Sequence, residues 1–227
     1  MKEHFSELLE RLRRDLITMG AEVEAQIAHA VEALVEGDAE KAQVVIARDS
    51  VINEMENRIE EQAIHLLATQ QPVAVDLRLL VAALKINADL ERIGDHAVNI
   101  AQSAERLSRS RMFKPWVDIP HMAEVARGML KDALDSFVRR DVQLAQEVCE
   151  RDDILDMKNR SLIRELLTYM AENPAVITRS IEIMTLSKNL ERVGDLATNI
   201  AEEAIFIVEG RNIKHSPRPL GEHHEQA

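Results

Sequence analysis

A chain of 227 residues with a net charge of −12 can bury a substantial core, and it is too acidic to grip a phosphate backbone, which excludes nucleic acid as its partner. Only 3% of residues are aromatic, and seven Gly with six Pro leave little material for sheets and tight turns, so the composition favours long helices. The single cysteine, Cys149, excludes an internal disulfide and fits a reducing cytoplasm.

The opening stretch MKEHFSELLERLRRD is charged throughout and does not read as a signal peptide. Helix punctuation predicts six long helices. The first ends at Gly37, where Asp38 stands ready to N-cap the second. The second repeats Ile52, Met55, Ile59, Ala63 and Leu66 at helical spacing and stops at Gln71-Pro72. The third runs from Pro72 to about Arg109, carries Leu90, Ile93, Ala97 and Ile100 on one face, and would be about 55 Å long at about 1.5 Å per residue. It also holds the longest apolar run, Leu79 to Leu84, well short of the roughly 20 residues a membrane span needs. The stretch KPWVDIP, Lys114 to Pro120, reads as a linker. The fourth and fifth helices are separated at Arg140-Asp141, and the fifth and sixth at Asn173-Pro174. After Gly210 the tail has no periodicity and reads as disordered.

The chain repeats itself. LERIGDHAVNIA (90–101) and LERVGDLATNIA (190–201) differ only at Ile93/Val193, His96/Leu196 and Val98/Thr198. The register extends further, matching Asp38 with Asp141, Asp49 with Asp152 and Pro72 with Pro174. Two halves of three helices follow, and short connections place sequential helices side by side. The expected fold is all-α, two tandem repeated three-helix bundles over 1–113 and 114–210, with a tail over 211–227.

Carboxylates punctuate both copies. Glu91 and Asp95 share a helix face, as do Glu191 and Asp195, and Glu202 lies three turns beyond Glu191, where the first half has Gln102. Asp49, Asn53, Glu56 and Glu60 form an acidic stripe on the second helix, and Asp152 and Asp156 repeat its first two positions. Hard oxygen ligands of this kind suit Mg, Mn, Ca or Fe ions. The plainer reading is a solvated face paired with Arg48, Arg92, Arg151 and Arg192, although Leu84, Ala88 and Val98 also fall on the face of Glu91 and Asp95. The Glu-x-x-His pairs of di-iron bundles are missing; Glu61 and His65 are spaced by four. His96 becomes Leu196 in the second copy, which argues against a shared ligand role, and His223 and His224 read as polar tail residues. Gly94 and Gly194 each cost a helix about 1 kcal/mol relative to Ala, which implies close approach of a neighbouring helix. No phosphate loop, nucleophile elbow or Ser/His/Asp signature appears in the sequence, so no catalytic constellation is expected.

The elements ATQQPVAVDLRLL (68–80), LERIGDHAVNIA (90–101), RDDILD (151–156) and LERVGDLATNIAE (190–202) together resemble the PhoU family, in order and spacing, over about residues 5–215. The resemblance implies a dimeric, cytoplasmic, non-enzymatic negative regulator of phosphate uptake and of the phosphate-starvation response. It implies an adaptor between the phosphate ABC transporter ATPase and a sensor histidine kinase, meeting the membrane only through those partners. Carried over residue by residue, it implies metal ligands at Asp49, Glu91 and Asp95 in the first half. In the second half it implies them at Asp152, Asp156, Glu191, Asp195 and Glu202, for Mg, Mn, Fe or Zn. Asn53 and Gln102, where the pattern expects acids, imply weaker ion binding in the first half. A carboxylate-bridged metalloenzyme and an accessory protein of another ion transporter are the alternatives.

Overall fold

The structure of the protein, a computed structural model, describes residues 2–108 and 118–211, and every regular element within them is helical. Residues 114–117 of the expected linker, the expected disordered tail beyond Arg211, and His223 and His224 lie outside the described residues.

Helix α1 (Lys2–Glu36) buries Leu12, Leu16, Met19, Val23, Ile27 and Ala30, a stripe spaced by three and four. It stops at Gly37, whose φ of +68° suits glycine, and Asp38 then caps the next helix by accepting from the Glu40 and Lys41 amides. The second segment is broken, contrary to the single helix its periodicity predicts: α2 (Ala39–Ala47) gives way at Arg48 to α3 (Asp49–Gln70). At the break the Arg48 carbonyl accepts from the buried Gln26 side chain of α1, and the Arg48 guanidinium pairs with Glu22. Tertiary partners on α1 thus take up the groups at the joint. Gln71, in the left-handed region, ends α3 before Pro72, and α4 (Val75–Ser108) begins three residues later than expected, after a positive φ at Ala74.

In the second half α5 (Ile119–Arg139) starts with Pro120 in its first turn. Asp141 caps α6 (Val142–Glu172), which runs unbroken. Asn173 then caps a 3-10 turn at Pro174–Val176, and α7 (Ile177–Glu209) ends at Gly210.

Helices α1, α2–α3 and α4 pack as one three-helix bundle, and α5, α6 and α7 as another. The bundles join along α4 and α7, with α1 against α5 beside them, and one apolar core runs through both. The α4–α7 seam is antiparallel. Lys85 Nζ meets Glu203 Oε1 at 2.9 Å near one end, His96 Nδ1 lies 2.8 Å from Asn189 Oδ1 near the middle, and Arg106 Nε meets Glu182 Oε1 at 2.9 Å near the other. Equivalent helices meeting this way relate the halves by an approximate two-fold axis across the seam. The repeated Glu-Arg-x-Gly-Asp motifs therefore lie near the centre of the molecule, each facing the second helix of its own bundle. Among the described residues no helix is long and apolar enough to cross a membrane.

Candidate functional site

Both motif glycines sit where a helix crosses closely. A Cβ on Gly94 would come within 3.2 Å of Ile52 Cγ2 on α3. A Cβ on Gly194 would come within 2.6 Å of Leu155 Cδ1 and 3.3 Å of Asp152 Oδ1 on α6. The glycines let α3 and α6 pack against α4 and α7, and the same close approach brings the acids of the paired helices beside one another.

In the first half Glu91 records this proximity. Its carboxyl is held above the ordinary glutamate range, first by burial and then by the negative charges of Asp95, Glu56 and Asp49, with Arg92 opposing. Asp49 and Glu91 are half-buried and Asp95 is exposed. Asp49 accepts a hydrogen bond from Asn53 Nδ2 at 3.0 Å, so Asn53 orients a carboxylate where the pattern expects another acid. The expected pairing with Arg48 does not form, because Arg48 turns to Glu22, and Arg92 lies 3.6 Å from Asp89.

In the second half the acids carry cations from their own helices. Glu191, 7% exposed, pairs through Oε1 with Lys188 Nζ. Asp195 Oδ2 meets Arg192 Nη1 at 3.1 Å, and Asp156 Oδ2 meets Arg160 Nη2 at 2.8 Å. Arg151 goes instead to Asp132 of α5 at 2.6 Å. On this face the buried Glu191 Oε2 and Thr198 Oγ1 have no hydrogen-bond partner among the described residues. Glu202 is half-buried, and eleven residues of rise place it about 16 Å along the axis from Glu191, so one ion cannot bridge the two.

The sequence ranked the first half as the weaker cation site. In the structure, neutralising side chains gather on the second half, at Asp156, Glu191 and Asp195. The repeat itself carries the signal: Lys188 stands where the first half has Ala88, and Arg160 where it has Asn57. Glu56, seen in the sequence as part of a stripe, belongs to the first-half cluster through its field on Glu91. Its counterpart Asn159 is buried and hydrogen-bonds Ser187 at 2.8 Å. Glu60 is exposed, and so are Glu61 and His65, which places that pair outside any bundle interior. His96 spends its Nδ1 on the α4–α7 seam.

The residues fit a hard cation in the chemistry of their donors. The donors are oxygens, and Glu191 Oε2 is buried without a partner among the described residues. As placed, no three His, Cys, Asp or Glu side chains among the described residues converge on one point, so a shared ion requires these carboxylates to turn toward each other.

A family model described as the PhoU domain matches this chain twice, at 16–104 and 119–204. The chain is 40% identical over 216 residues to a Pseudomonas putida protein named phosphate-specific transport system accessory protein PhoU homolog, covering 95% of this chain and 84% of the relative. A relative of the same name from Clostridium acetobutylicum is 39% identical over 92% of this chain and 96% of its own length. Among solved structures, PhoU from Pseudomonas aeruginosa superposes with a TM-score of 0.88 at 40% identity, over 91% of this chain and all of the other. The phosphate transport system regulatory protein PhoU from Streptococcus pneumoniae gives 0.85 at 26% identity, over 92% and 98%.

Proposed function

The chain belongs to the PhoU family, and from that membership we propose that it is an accessory protein of phosphate transport that restrains uptake and the phosphate-starvation response when phosphate is plentiful. It acts without catalysis, as a cytoplasmic homodimeric adaptor between the ATPase of a phosphate ABC transporter and a sensor histidine kinase. The observation that carries this reading is the double family match across both halves, joined to relatives named as accessory proteins of phosphate-specific transport over nearly their whole lengths. Deleting the gene in the source cells should raise alkaline phosphatase in phosphate-rich medium, and restoring it should lower the activity again. Normal repression in the deletion strain would sink the proposal.

The two acid faces are the sites we assign to divalent or iron ions: Mg, Mn, Fe or Zn. Asp49, Glu91 and Asp95 are the ligands of the first face, with Glu56 adding its charge. Asp152, Asp156, Glu191 and Asp195 are those of the second, with Glu202 further along it. The support is the donor chemistry, the glycine crossings and the unpartnered Glu191 oxygen. Metal content per chain, measured on untagged protein purified without chelator beside a Glu191→Ala/Asp195→Ala variant, tests it. Stoichiometric metal that falls in the still-helical variant supports the assignment, and protein that stays metal-free after incubation with these ions refutes it.

A further inference from the structure

We propose that Lys188 is a tethered counter-ion that competes with metal ions for Glu191, so that the two acid faces load in order, the first half before the second. The inference rests on the reading of those faces as cation sites.

Three observations meet here. Glu191 is a carboxylate more than nine-tenths buried, with one oxygen given to the Lys188 ammonium and the other unpartnered among the described residues. Leaving half a buried carboxylate unsatisfied is costly, and an ion touching both oxygens would remove that cost. Lys188 is exposed, so its side chain can swing into solvent and yield Glu191 to an ion at little cost in packing. On the facing helix, Asp152 Oδ1 lies 3.3 Å from where a Cβ of Gly194 would stand, one turn along from Glu191.

The duplication provides an internal control. The position equivalent to Lys188 is Ala88, also exposed on its helix, and no ion pair is formed by Asp49, Glu56, Glu91 or Asp95 among the described residues within the 4 Å that defines one. An ion approaching the first face meets carboxylates that form no ion pair, with Arg92 acting on Glu91 only through its field. An ion approaching the second must displace an ammonium first. One elementary charge about 5 Å from a divalent ion in near-aqueous surroundings changes its affinity on the order of tenfold.

The test is a set of Mn²⁺ binding isotherms on the full chain at low ionic strength, read from loss of the free-ion EPR signal, with Fe²⁺ (anaerobic) and Zn²⁺ binding measured in parallel by equilibrium dialysis. Wild type is compared with Lys188→Ala and Ala88→Lys. Both changes are at exposed positions and exchange the residue of one half for that of the other, and circular dichroism checks that each variant is folded. Wild type should show two classes of site. Lys188→Ala should tighten the weaker class on the order of tenfold, and adding Glu191→Gln should abolish the gain. Ala88→Lys should weaken the stronger class by a similar factor. If metal binds but Lys188→Ala leaves the isotherm unchanged or weakens it, the counter-ion role falls and the metal reading stands. If none of the three ions binds any of the chains, the metal reading itself falls and this inference falls with it.

Discussion

Replacing Gly194 with alanine, and Gly94 with alanine in parallel, sets two physical effects against each other at equivalent positions. Within a helix, glycine to alanine gains about 1 kcal/mol from propensity. At Gly194 the new methyl would sit 2.6 Å from Leu155 Cδ1, and Leu155 is fully buried. Overpacking of that kind costs about 1–3 kcal/mol, so the net effect at Gly194 is a loss of about 0–2 kcal/mol. At Gly94 the nearest atom is Ile52 Cγ2 at 3.2 Å, a contact that a shift of a few tenths of an ångström relieves. Ile52 is β-branched and cannot rotate away in a helix, so the helices must part slightly, and the propensity gain is largely offset. Gly94→Ala should therefore stay within about 1 kcal/mol of wild type. The assay is urea unfolding followed by circular dichroism, with thermal midpoints as a second reading. For a chain of this size each kcal/mol moves the midpoint by about 2–4 °C. A Gly194→Ala protein as stable as Gly94→Ala, or more so, would refute the argument that the second crossing is the tighter one.

Glu91→Gln should stabilise the protein at neutral pH. The folded carboxyl titrates above its unfolded value, so the native state holds the proton more firmly and stability falls as pH rises through that window. The advantage of the glutamine variant should then shrink on acidification below the ordinary glutamate range, and an advantage independent of pH would contradict the cause. Lys85→Ala removes the cation beside Glu203, whose side chain is 4% exposed, and should cost about 1–2 kcal/mol because Lys85 itself is partly solvated. A loss below the error of urea unfolding would show that Glu203 does not depend on Lys85. Asp38→Ala and Asp141→Ala should each cost about 1 kcal/mol, with Asp38 the larger because it accepts from two amides rather than one. Equal thermal midpoints for the two variants would count against that ordering.

Most of the helix plan was legible because its signals are local. Asp38, Asp141 and Asn173 cap helices as their residue types suggest, and Gly37 and Gly210 end them at positive φ. The break at Arg48 was not legible, since the groups that settle it, Gln26 and Glu22, are more than twenty residues away on α1. The same holds for the arginines expected to neutralise the acid stripe: Arg48 and Arg151 turn to Glu22 and Asp132 on other helices.

The duplicated motif, the all-helical composition and the spacing of Glu91 with Asp95 and of Glu191 with Asp195 are properties of the chain read along its length. They determined the family, the bundle pattern and which carboxylates could share a face. Which acids feel each other depends on how closely α3 meets α4 and α6 meets α7, and helix-to-helix distance is set by side chains far apart in sequence. Only the tertiary structure could place Glu56 in the field of Glu91, turn Arg48 away from Asp49, and show a Glu191 oxygen buried beside a lysine that its twin lacks.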